Sequence, residues 1–255
     1  MDSIKQNIKG DGNTTIVNTG ISPEDAYQIA LSLFKENFPV LQQEASETVR
    51  SRVDELFAET TKKIYQKGVD GFSSFKEPDM QYALYESMKS YARYGTKELL
   101  DVLSELVADR AGFIDDLKVK VAIDDAIGMV QKMTQPALNY LTMVFICKQV
   151  KMGCVKNAND LISMTTSLVN SFPFEAGDVA FLDSIGCFRI DLDKPSERLA
   201  KTYEIKKESL VGMFPNCIDE LPHDYSLTYP AIVLAIVNAK NKRPDIKFDL
   251  KTWIR

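Results

Sequence analysis

The residues with the clearest capacity for chemistry lie in the stretch IDLDKPSERLAKTYEIKK, where Asp191 and Asp193 precede the triplet Glu204-Ile205-Lys206. An acid followed by acid-x-Lys is how many metal-dependent nucleases hold Mg²⁺ between carboxylates while a lysine orients the attacking water. That arrangement is usually built on a strand, whereas this stretch leans helical. Two further acidic pairs, Asp115–Asp116 and Asp124–Asp125, are spaced so that a helix could bring some of them to one side; solvated charge is the simpler reading. The single histidine, His223, adjoins Asp224, but no serine or cysteine motif completes a triad. One histidine and four dispersed cysteines (Cys147, Cys154, Cys187 and Cys217) supply no zinc site. Neither G-x-x-x-x-G-K-[ST] nor G-x-G-x-x-G occurs, so phosphate-cradling loops of those kinds are absent and no cofactor is expected.

The elements that would position these residues are mainly helical. Ser22-Pro23 reads as an N-cap and a first-turn proline, with an apolar face through Ile29, Ala30, Leu33 and Phe34 that ends at Pro39. A second helix is expected from Val40 to Lys67. Its stripe holds Leu41, Ala45, Val49, Val53, Leu56, Phe57 and Ile64, and Gly68 closes it. Pro78-Asp79, Thr96 and Asn159 open further helices, with another from about Ile114 to Met133. The segment TQPALNYLTMVFICKQVKMG (134–153) is apolar on nearly every side, which marks a buried central helix. YPAIVLAIV (229–237) reads as a second one.

Such a chain has no obvious use for its first twenty residues. IKQNIKGDGNTTIVN alternates like two short strands around a Gly-Asp-Gly-Asn turn. Ile4, Gln6 and Ile8 share one face; Asn13 ends the turn, and Thr14 and Ile16 share the next face. An isolated strand pair leaves both edges open. Stacking with copies of itself satisfies those edges and aligns Gln and Asn ladders. Ile4, Gln6, Ile8, Asn13, Thr14 and Ile16 are therefore the expected self-association residues.

The texture changes after SFPFEAGD (171–178). A helix ending in Gly186, a strand at Cys187–Leu192 and the motif Y-x-L-T leading a helix resemble a winged-helix pattern. The preceding helix, NDLISMTTSLVNSF, carries no Lys or Arg, which favours a protein partner over DNA. The expected architecture is mainly α. It has a strand-like hairpin or arch at 1–20, a helical core domain at 22–170 and a smaller α or α+β, winged-helix-like module at 178–255.

Composition sets the class. The 255 residues are 45% hydrophobic and 26% charged, as in ordinary globular proteins, and the formal charge of −5 argues against a globally basic nucleic-acid binder. The polar N-terminus lacks the apolar run of a signal peptide. The most apolar windows fall short of the ~20 residues a spanning helix needs. A cytoplasmic homo-oligomer with no membrane partner is the expectation.

GDGNTTIV, ISPEDAYQIALSLFKENFPVLQQEA, PDMQYALYESMKSYARYG, AIDDAIGMVQKMTQPALNYLTMVFI and LTYPAIVLAIVNAK occur in an order that resembles an uncharacterised family of cytoplasmic bacterial proteins. That family is found in accessory genomic regions, and the resemblance implies a setting of phage defence without implying any catalytic residue. Many members place a glycine shortly after the C-terminal Leu-Thr, where this chain has Tyr229-Pro230-Ala231. The leading expectation is a non-enzymatic sensor, effector or scaffold that self-associates through its N-terminal segment. The alternatives are a Mg²⁺-dependent nuclease in the C-terminal module and a DNA-binding regulator.

Overall fold

Helix α1 (Pro23–Lys67) starts where Ser22-Pro23 predicts: the Ala26 amide donates to the Ser22 carbonyl at 2.9 Å. The computed structural model describes residues 22–68, 73–113, 115–151, 153, 155–168, 176–190, 195–206, 208 and 225–254. The strand pattern expected at 1–20 lies outside them. The chain divides into two compact units, 1–47 and 48–255.

The described part of the first unit is entirely helical. The expected break at Pro39 does not occur, because Pro39 lies inside α1. Proline deletes one backbone donor and crowds the carbonyl four residues earlier, at a cost of about 3 kcal/mol, but the ladder on either side can continue. In the turn ahead of it, Asn37 Nδ2 donates to the Leu33 carbonyl at 2.8 Å.

In the second unit, the remainder of α1 sends Leu56, Thr60 and Ile64 into the interior. Val49 and Phe57, expected on the same buried stripe, are exposed. Gly68, in the left-handed region at φ 64°, closes the helix. After a 3₁₀ turn (Ser73–Lys76) come α2 (Pro78–Tyr94), α3 (Lys97–Gly112), α4 (Leu117–Val130) and α5 (Gln135–Gln149). Thr96, Asp116 and Thr134 cap α3, α4 and α5 by accepting the Leu99, Val119 and Ala137 amides.

Residues Ala137–Lys148 of α5 are all buried, as an all-round apolar helix must be. Next in the chain are α6 (Ala158–Leu168), α7 (Ala176–Ser184), β1 (Phe188–Ile190), α8 (Pro195–Tyr203), β2 (Tyr225–Leu227), α9 (Tyr229–Lys242) and α10 (Leu250–Trp253). The two strands pair antiparallel with Phe188 opposite Leu227 and Ile190 opposite Tyr225. Thr228 then links the sheet to α9, its hydroxyl donating to the Gly186 carbonyl at 2.8 Å.

Helix α9 is the hub of this unit. It packs against α3, α4, α5, α6 and α10. Helices α5 and α9, from either side of the expected boundary at 171–178, therefore meet within one compact unit. A buried polar set fixes their register: Asn238 Nδ2 donates to Thr142 Oγ1 at 2.8 Å, and Gln135 Nε2 donates to Asn238 Oδ1 at 2.9 Å.

Candidate functional site

The residues expected to do chemistry are placed as follows. Helix α8 ends at Tyr203, and Glu204 follows with φ 56°, in the left-handed region. That is the conformation of a helix-closing residue, usually glycine. The Ile205 amide donates to the Ala200 carbonyl at 3.0 Å, completing the turn. Glu204 and Lys206 are both exposed, so the acid-x-Lys triplet occupies a helix-terminating turn rather than a strand. Asp191, Asp193, His223 and Asp224 lie outside the described residues, as do Ile4, Gln6, Ile8, Asn13, Thr14 and Ile16. Cys147 and Cys187 are buried. Burial, helped by Asp183, pushes the Cys187 thiol up to about 12, which keeps it protonated and unreactive at neutral pH.

The acidic pairs read from the sequence have structural duties. Asp116 caps α4, and Asp124 holds Arg110 at 2.8 and 3.3 Å. Arg110, nearly fully buried on α3, also reaches Asp79 at 2.8 Å, and Lys120 joins Asp79 at 2.8 Å. Hydrogen bonds from Lys120 and Arg110 hold the Asp79 carboxyl well below the usual carboxylate range. Asp124 shifts the other way although it shares Arg110, because burial outweighs the guanidinium there. Among the described residues, no cluster of His, Cys, Asp and Glu side chains is fit to hold a metal ion.

A second ionic network escaped sequence reading altogether. Lys67 on α1 contacts Glu105 at 2.5 Å and Asp109 at 2.6 Å, both on α3. Lys240 on α9 reaches Asp109 at 3.1 Å. Lys63 donates to the Asp101 carbonyl at 2.7 Å and lies 3.7 Å from Glu105. Burial opposes charge on Lys67, but the Asp109 and Glu105 carboxylates prevail and its pKa rises; on Lys63 burial prevails and the pKa falls. The network ties three helices together by groups far apart in sequence, which no local pattern reveals.

The open apolar surface is more distinctive. In the first unit Tyr27, Ile29, Leu33, Phe34, Phe38, Val40 and Leu41 are each about half exposed or more, and the Phe34 and Phe38 rings lie 5.4 Å apart. Apolar surface of this extent in one helical segment exceeds the scattered exposure normal on soluble proteins. In the second unit Val49, Val53, Tyr85, Met88 and Ala92 line an apolar groove of about 470 Å³ between α1 and α2, with Lys89 and Arg93 along it.

Long side chains hold α1 beside α2 there. Arg52 Nη1 donates to the Ala92 carbonyl at 2.8 Å, and the Tyr91 hydroxyl donates to Glu55 Oε2 at 2.6 Å. Gly95 ends α2 at φ 62° directly under Arg52, where a Cβ would come within 2.2 Å of Nε. Glycine takes this conformation without strain, and any side chain here would push the Arg52 guanidinium aside. Among the described residues no helix is long and apolar enough to cross a membrane.

The model of an uncharacterised protein family matches residues 20–221, a span that takes in every element from α1 to α8 and stops short of β2 and α9. No curated protein and no solved structure matches the chain.

Proposed function

We propose that this chain, which belongs to the uncharacterised family whose model covers residues 20–221, is a non-enzymatic sensor, effector or scaffold that assembles into homo-oligomers through its N-terminal segment. The observation that carries the reading is the concentration of exposed apolar side chains at 27–41, directly after the strand-like alternation of residues 4–16. A region that is apolar, exposed and adjacent to an edge-forming pattern is suited to binding other chains. The bacterial, cytoplasmic and phage-defence setting comes from the family resemblance, and in that setting assembly is the response to a signal.

The C-terminal part supports a protein-binding role. The β1–β2 pair leading through Thr228 into α9 suits a winged-helix-like module, and the described residues of α6 carry no Lys or Arg to meet phosphates. A Mg²⁺-dependent nuclease is the second reading, supported by the exposure of both Glu204 and Lys206 on a single turn.

Deleting residues 1–20 tests the first reading. Sedimentation velocity should show a lower oligomer order, with far-ultraviolet circular dichroism and melting nearly unchanged. Identical sedimentation profiles for the full and shortened chains would overturn it.

A further inference from the structure

We propose that the polar seam between α5 and α9 binds a small carboxylate, held by the Lys242 ammonium and the Asn139 side-chain amide.

Lys242 ends α9 without an acid to face. Lys240, two residues earlier, reaches Asp109 at 3.1 Å, and Arg243, the next residue, reaches Asp245 at 2.6 Å. Lys242 is half-buried, yet among the described residues no carboxylate pairs with its Nζ. Its one hydrogen bond goes to a neutral group, Asn139 Oδ1, at 2.5 Å. Burial alone moves its pKa below the usual lysine range, as happens to an ammonium that loses water and gains no counter-charge.

Asn139, only 7% exposed, makes the shortage of acceptors sharper. Its Oδ1 already receives Gln135 Nε2 at 2.9 Å and Asn238 Nδ2 at 3.3 Å besides Lys242. A carbonyl oxygen has two lone pairs, so three donors crowd one acceptor. Asn238 Oδ1 and Thr142 Oγ1 give no relief, because they take the remaining Gln135 and Asn238 hydrogens at 2.9 and 2.8 Å. Asn139 Nδ2 itself donates to no group among the described residues. Two hydrogens on Nδ2 and two on Nζ are therefore left without a protein acceptor, an expensive condition for groups withdrawn from water.

These donors define the ligand. It must accept hydrogen bonds, since every unused group is an N–H. It should carry one negative charge, because the seam offers one unpaired positive charge and a dianion would bring an uncompensated second charge into a half-buried place. Nζ and Nδ2 flank the same amide oxygen, so the two oxygens of a single carboxylate can take one donor each, with the ammonium supplying a charge-assisted bond. The Gln135 and Asn238 bonds to Oδ1 fix which way the Asn139 amide faces, so no reordering is needed on binding.

The test uses the full-length chain and acetate as the probe. Lysines are reductively methylated with formaldehyde and cyanoborohydride, and rates at Lys242 and at exposed Lys247 are read by mass spectrometry. A bound carboxylate occupies the amine and keeps it protonated. Acetate at about 50 mM should slow Lys242 at least threefold relative to chloride at equal ionic strength, with Lys247 unchanged. Inorganic phosphate, mostly a dianion at about pH 8, should protect less. Asn139→Asp places a carboxylate in the seam; it should slow Lys242 without acetate and remove the acetate response. If water alone serves these donors, acetate will change nothing, and the proposal falls. Equal slowing by chloride, equal slowing at Lys247, or stronger protection by phosphate would also overturn it. So would an acetate response retained in folded Asn139→Asp. The unsubstituted chain decides the matter even where that variant does not fold.

Discussion

Phe145 sits in the middle of α5 with no solvent exposure, and two rings meet it edge-on: Phe248 at 5.9 Å and Trp253 at 5.1 Å between centroids. Replacing it with alanine removes the largest fully buried side chain of the helix and leaves a void that α5 and α10 cannot close without moving. A Phe-to-Ala change at such a site costs about 3–5 kcal/mol. The two lost edge-to-face contacts, worth about 0.5–1.5 kcal/mol each, place it toward the upper end. That is a large part of a typical domain's total stability of about 5–15 kcal/mol. The control is Lys62→Ala on α1: its side chain is 61% exposed and bridges Glu59 at 3.2 Å, so removal should change stability by less than about 0.5 kcal/mol. The assay is urea denaturation followed by intrinsic fluorescence. Trp253 is the only tryptophan, so its emission reports this site alone. Phe145→Ala should shift native emission to longer wavelength and lower the denaturation midpoint sharply. Equal, mild effects of the two substitutions, or an unshifted emission, would refute the account of α5 and α10 as one packed unit.

Three further outcomes are expected. Asp79 has a depressed carboxyl pKa, so its stabilising contribution is present above the unfolded value of about 3.9 and is lost as pH falls below it; chemical denaturation at pH 5 and pH 3 should show a smaller drop in Asp79→Asn than in the native chain. Asp109→Ala leaves Lys67 and Lys240 short of a partner in a largely buried network and should cost about 3–5 kcal/mol in the same measurement, well above any surface substitution. Glu204→Gly relieves a left-handed non-glycine residue and should raise stability by about 1 kcal/mol; if the same variant abolishes a Mg²⁺-dependent cleavage of nucleic acid, the nuclease reading gains over the assembly one, and with no cleavage in either protein Glu204 is a helix stop.

Where structure depends on a few neighbouring residues, the sequence revealed it. Thr96 caps the helix it announces, Gly68 and Gly95 end theirs, and the apolar runs in α5 and α9 are buried on all sides. Misreadings begin where two distant segments must meet. The α1 stripe is periodic throughout, yet only Leu56, Thr60 and Ile64 find a buried partner, because periodicity says which residues share a face and not what lies opposite. Lys63 carries no sequence sign of burial, yet its side chain is 12% exposed, since α3 brings Glu105 and the Asp101 carbonyl to it. Strand β2 is three residues long and exists only because β1 pairs with it. Pro39 was read by a rule about helix ends that a long helix can override. For the acid-x-Lys triplet, spacing alone did not show that Glu204 would end α8.

The placement of α9 bears on how the chain is made. A ribosome releases α3, α4 and α5 well before the helix they surround, and roughly ninety residues separate the end of α5 from the end of α9. At about 5–20 residues per second, the apolar flanks of α5 wait about 5–20 s for their partner. Throughout that interval the nascent chain displays the surface most prone to capture by other nascent chains. Slow synthesis or a shortage of holding chaperones should therefore reduce yield of this protein more than of a helical bundle whose central helix is made first, even with identical final stability.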